Sequence, residues 1–219
     1  MADTDDFLPE DAWDEYTWER FLQQQDRNTE KYFHLLEKFI DHPDCDEIIA
    51  EQMGWGAFSS AAAEQDQFEE FLNESSEFLT GDEEEEYDNE FEEFTHSVVY
   101  EDTLNLHRWI NRLLDKREDL REHPEAARFA TRSAVCGAKL AAALCGQENT
   151  EIGMTIAYLK RALKAANDSL DALLKLEESF SLDRRRANHA RRLVFKIRDR
   201  IVDYMRDYRL KWRERYGQA

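Results

Sequence analysis

The residues of this chain best equipped for chemistry are carboxylates and imidazoles at helical spacing. Glu93 and His96 form a Glu-x-x-His pair, and Tyr100 and His107 continue the same face. Helical bundles that hold two iron or manganese ions use that spacing, because residues three or four apart on a helix point the same way. Such a centre needs a second Glu-x-x-His pair and two further glutamates, and no second pair occurs. Glu30 and His34, four apart, are the other acid and imidazole that could share a site. A ferritin-like metal protein is therefore one alternative. The simpler expectation for these five positions, Glu93, His96, His107, Glu30 and His34, is polar side chains on acidic helices, with no metal and no cofactor.

Arg184 and His189 have the Arg-x4-to-6-His spacing of helical ribonucleases of the HEPN type, and Arg117 and His123 have it too. Arginine is abundant here, so such matches arise by chance, and surface charge near helix ends is the expectation. No Ser-His-Asp or Cys-His grouping suggests itself, and "GWG" at 54–56 lacks the glycines and the Lys-Ser/Thr of a phosphate loop. The expectation leans away from an enzyme, with no catalytic residue assigned.

Charge is the stronger signal. The 219 residues carry a formal net charge of -20. Residues 1–105 hold 33 Asp and Glu against 4 Lys and Arg, and residues 106–219 hold 16 against 25. From Arg184 to Arg215 there are 13 Lys and Arg against 4 Asp and Glu, with Arg184, Arg185, Arg186, Arg191, Arg192, Arg198 and Arg200 toward the start. Tyr204, Tyr208, Trp212 and Tyr216 follow every four residues. One reading takes these arginines to RNA phosphates and the rings to bases. The other pairs them with the protein's own acidic helices, which are covalently attached and so present at high effective concentration. Self-pairing is the favoured expectation.

These residues must sit on helices. Only 7 Gly and 3 Pro interrupt the chain, which implies long helices and few turns. No apolar run approaches the length that spans a bilayer. The start, "MADTDDFLPEDAW", is acidic where a signal peptide is basic and then apolar, so a cytoplasmic protein is expected. Three cysteines without regular spacing are not a disulfide framework.

The periodicity predicts a first helix over about 10–40, with a stripe of Trp18, Leu22, Gln25, Thr29, Tyr32, Leu36 and Phe39. Asp44 and Glu47 read as a capping box opening a short helix to about Met53. Further helices are expected over about 60–79 and 83–122, the latter opened by a capping box of Asp82 and Glu85. Pro124 opens a helix to Gly146, in which Ala130, Ala134, Ala138 and Ala142 recur every four residues. Thr150 is read as the cap of a helix to about Glu178, and Ser181 as the cap of the last. There Val194, Ile197, Ile201, Tyr204, Tyr208 and Lys211 keep a heptad spacing. The expected fold is all-α: an antiparallel four-helix bundle over 97–219, with residues 1–96 as an added acidic helical layer.

The stretches "RSAVCGAKLA" (132–141) and "YLKRALKAANDSLDALLKL" (158–176) carry a resemblance. Residues 98–215 resemble the four-helix-bundle proteins encoded in 23S rRNA intervening sequences. That resemblance implies the same order of helices, a non-enzymatic role, oligomers and contact with nucleic acid. Gly137, Ala138 and Lys139 stand where that family has Pro-Ala-Asn, and the acidic first 97 residues have no counterpart there.

Together these readings lead to an expected function as a non-catalytic cytosolic helical scaffold or adaptor. It would act through contacts with an unknown protein partner and self-associate as a homodimer or other homo-oligomer. RNA binding through the basic last helix is the alternative, and no membrane contact is expected.

Overall fold

In the computed structural model the described residues are 13–55, 97–145, 151–179 and 182–217, and among them all regular structure is helical. The helices are α1 (Glu15–Phe39), α2 (Cys45–Met53), α3 (Val98–Lys116), α4 (Glu118–Arg121), α5 (Pro124–Leu144), α6 (Ile152–Glu178) and α7 (Arg184–Tyr216). The helix expected over 60–79, the Asp82/Glu85 box and the acidic start of the 83–122 helix lie outside the described residues. The described remainder of that last helix is two pieces, α3 and α4, because Arg117 leaves helical geometry at φ -132°.

The chain divides into two compact units, residues 1–19 with 86–219, and residues 20–85. In the larger unit α5 packs on α6, α6 on α7, and α3 on both α5 and α7. Side-chain pairs fix the directions. Arg128 near the start of α5 meets Asp171 near the end of α6 at 2.9 Å. Lys139, near the end of α5, lies over the ring of Tyr158, near the start of α6. Asp102, early in α3, meets Lys196 and Arg200, while Trp109 further along meets His189. Neighbouring helices therefore run antiparallel.

The core is one cluster that includes Val99, Leu106, Phe129, Leu140, Leu159, Leu173, Leu176, Val194, Ile197 and Ile201. On α7 the expected seam is confirmed at Val194, Ile197 and Ile201, with Tyr204 and Tyr208 half-buried beside it. On α5 the recurring alanines divide, with Ala134 and Ala138 exposed and Ala130 and Ala142 partly buried. The buried face is Ala126, Phe129, Ser133, Cys136, Gly137, Leu140 and Ala143. The larger side chains decide which way the helix rolls, since burying Phe129 or Leu140 removes more apolar area from water than burying an alanine.

Three caps differ from expectation, and at α6 the N-cap position is Glu151 and carries no side-chain capping bond. Asp44 occupies the N-cap of α2 but makes no side-chain capping bond. The cap of α7 is Asp183, whose carboxylate accepts from the N–H of Arg186. Thr150 and Ser181 lie outside the described residues.

In the smaller unit α2 ends at Gly54, whose φ of 80° is the left-handed conformation glycine adopts freely. Trp55 then stacks on Tyr32 at 6.0 Å, and the Lys31 ammonium donates to the Gln52 carbonyl. Leu35 and Ile49 are buried, while Gln25 and Thr29, at the centre of the expected stripe, are exposed.

Candidate functional site

Cationic side chains gather at one end of the larger unit, where α7 begins and α3 ends. The helix start is set by Asp183, and a buried stripe of Ala187, Ala190 and Val194 turns the opposite face outward. That outward face carries Arg184, Arg185, Asn188, Arg191, Arg192 and Phe195 at helical spacing and lines an open groove of about 670 Å3. A smaller groove of about 200 Å3 runs along Trp109, Arg112, Leu113, Lys116 and Arg186. The rings of Trp109 and His189 are 5.8 Å apart.

The expected contact arginines fall into two groups. Arg186 pairs with Asp183 at 3.3 Å, Arg191 with Glu177 of α6, and Arg200 with Asp102 of α3 at 2.9 Å. Arg184, Arg185 and Arg192 are exposed and have no carboxylate partner among the described residues, and the same holds for Arg112 and Lys116. Arg198 sits over the ring of Phe195 at 5.4 Å. Of the three paired acids only Asp102 belongs to the acidic residues 1–105, and Asp183 and Glu177 belong to the basic half of the chain. The acidic run at 82–93 lies outside the described residues.

Asp102 is the hub of the pairing. Its side chain is 9% exposed, with Lys196 at 2.7 Å and Arg200 at 2.9 Å. At the other end of α7, Arg209 grips Glu15 with two bonds of 2.8 Å, and that carboxylate holds the guanidinium pKa above its usual value. Arg161 meets Glu19 at 2.9 Å.

The other candidates are not brought together. Glu30 and His34 are exposed on α1. His107 turns its Nε2 into the α3–α5 seam, where its ring faces Gly137. Glu93 and His96 lie outside the described residues. No group of three or more His, Cys, Asp or Glu that could hold a metal ion occurs among the described residues. Of the ribonuclease-type spacings, Arg117 binds Asp119 through two bonds of 2.7 and 2.6 Å, and His123 caps α5 by accepting from the N–H of Glu125. Both serve local structure. Arg184 and His189 lie on the basic end without a shared contact.

Sequence reasoning missed Arg112, Lys116, Trp109 and Phe195. The i, i+4 spacing of Arg112 and Lys116 was visible, but their place beside the start of α7 depends on antiparallel packing. No helix among the described residues is long and apolar enough to cross a membrane. No protein-family model, curated protein or solved structure matches the chain.

Proposed function

We propose that this chain is a non-catalytic helical protein that binds single-stranded RNA through the basic end formed by α7 and α3. The scaffold is read as an antiparallel four-helix bundle of α3, α5, α6 and α7, supported by their mutual packing. One observation carries the reading. Lys196, Arg200 and Arg209 are neutralised by acids within the larger unit, whereas Arg184, Arg185, Arg192, Arg112 and Lys116 have no carboxylate partner among the described residues. Free guanidinium groups beside half-exposed rings suit a flexible phosphate backbone with bases that stack.

The test is fluorescence anisotropy of the intact chain with an unstructured RNA 20-mer over a salt series. Affinity falls steeply with salt, and Arg184→Ala/Arg185→Ala/Arg192→Ala lowers the slope of log K against log salt by about 2, at about 0.7 per lost phosphate contact. No salt-dependent binding by the intact chain, or an unchanged slope in the triple variant, overturns the reading.

A second reading, a scaffold or adaptor that also self-associates, has its own support. Phe33 and Ile40 of the smaller unit lie one heptad apart and are 60% and 65% exposed. Apolar side chains left so open favour a protein surface. Light scattering at high concentration gives a mass near twice 26.0 kDa on this reading, and a monomer mass removes it.

A further inference from the structure

We propose that a cavity at the far end of α7 from the basic end is a binding site for a small aromatic carboxylate. The cavity holds about 390 Å3 and is lined by Asp14, Glu15, Tyr16, Ile156, Arg209, Trp212 and Arg213. That volume lies in the range of small-molecule sites.

Its polar lining is mostly committed. Asp14 Oδ1 accepts the N–H groups of Tyr16 and Thr17 at 3.1 and 2.8 Å, capping α1. Glu15 and Arg209 neutralise each other through their paired bonds. Of the two rings Trp212 is tied by a hydrogen bond, while Tyr16 is 64% exposed. Trp212 Nε1–H donates to the Trp13 carbonyl at 3.3 Å, and the Lys160 ammonium sits 4.4 Å from the centre of the Tyr16 ring. Ile156 contributes a buried aliphatic surface. What remains is the second oxygen of Asp14 and the guanidinium of Arg213, the latter exposed and without a carboxylate partner among the described residues.

One tied ring, one open ring and one unpaired guanidinium define the ligand. A flat apolar body packs against rings, and a carboxylate takes the guanidinium fork through two charge-assisted bonds. A cation finds Glu15 already bound to Arg209, and Asp14 has one of its two oxygens committed to the cap of α1. A polyphosphate needs more than one free cation, and the only other guanidinium in the lining is bound to Glu15.

Isothermal titration of the full chain with benzoate and with indole-3-acetate tests this. The expected result is one saturable site per chain for at least one of the two. Its affinity falls tenfold or more in Arg213→Gln, and the matching neutral amide binds at least tenfold more weakly than its acid. The exposed position of Arg213 keeps the variant folded, which its melting curve verifies. No saturable binding of either acid at millimolar concentration, an amide that binds as well as its acid, or unchanged affinity in Arg213→Gln overturns the proposal.

Discussion

Arg209 and Glu15, 194 positions apart in the chain, form a two-pronged ion pair with both bonds at 2.8 Å, and Glu15 is 8% exposed. The pair fixes the first turn of α1 on the larger unit, together with the Trp212–Trp13 and Arg161–Glu19 bonds. Arg209→Met leaves a buried carboxylate with only Lys160, at 3.7 Å, beside it. Arg209 itself is partly solvent-screened, so the expected loss is about 1–2 kcal/mol rather than the full value of a buried pair. That corresponds to a fall in Tm of about 3–6 °C. Glu15→Gln costs less, because the freed guanidinium can reach water. Thermal melts of both variants check the order.

Asp102 gives a sharper version of the same asymmetry. It is buried, while Lys196 and Arg200 are 52% and 37% exposed. Removing both cations with Lys196→Met/Arg200→Met strands a buried carboxylate and costs about 3 kcal/mol. Asp102→Asn keeps the shape and lets both cations hydrate, costing about 1 kcal/mol. Denaturant unfolding that ranks Asp102→Asn as the worse variant contradicts this account of the hub.

Two helical glycines should respond oppositely to alanine. A Cβ on Gly153 would lie 2.1 Å from the Trp13 carbonyl oxygen, a backbone atom that cannot turn aside. Gly153→Ala is therefore expected to displace Trp13 and break its bond to Trp212, with faster proteolysis near residues 13–19. A Cβ on Gly137 would lie 3.1 Å from His107 Cε1, the end of a side chain that can yield a few tenths of an ångström. Alanine also favours the helix by up to about 1 kcal/mol. Gly137→Ala should stay within about 1 kcal/mol of the parent on thermal melting.

How far the sequence could be read depended on contrast between residue types. The Val194, Ile197 and Ile201 stripe stands out among arginines, so its burial was legible. In α5 small residues occupy most faces, so the alanine repeat singles out none, and Phe129 and Leu140 mark the buried one. Arginine richness at the start of α7 was plain. Which arginines are paired was not, because Glu177, Asp102 and Glu15 reach them only through tertiary packing. The cavity beside Arg213 joins residues more than 190 positions apart and leaves no local pattern.

Burial pushes the Cys136 thiol up to about 12. The folded state disfavours the thiolate, so Cys136 should resist alkylation at pH 8 while the exposed Cys145 reacts at once. This raised pKa also fixes the direction of a stability effect. The contribution is complete below the unfolded thiol's pKa, near 9, and is lost as pH rises toward about 12. Labelling followed by peptide mass mapping, with and without denaturant, reads the difference. Rapid labelling of Cys136 in the folded chain contradicts it.

The arginines proposed to hold RNA should be separable from those that hold the fold. Arg184, Arg185 and Arg192 are exposed and lack a carboxylate partner among the described residues. Replacing all three with alanine should therefore leave stability within about 0.5 kcal/mol of the parent, as for ordinary surface positions. Arg191→Ala removes the contact with Glu177 that ties α6 to α7, and should cost about 1 kcal/mol. The comparison also addresses the charge imbalance of the chain. If the triple variant melts several degrees lower, those arginines are already held by the chain's own acids, and self-pairing displaces the RNA reading. If the triple variant melts with the parent while Arg191→Ala falls, the first turns of α7 are open to a partner.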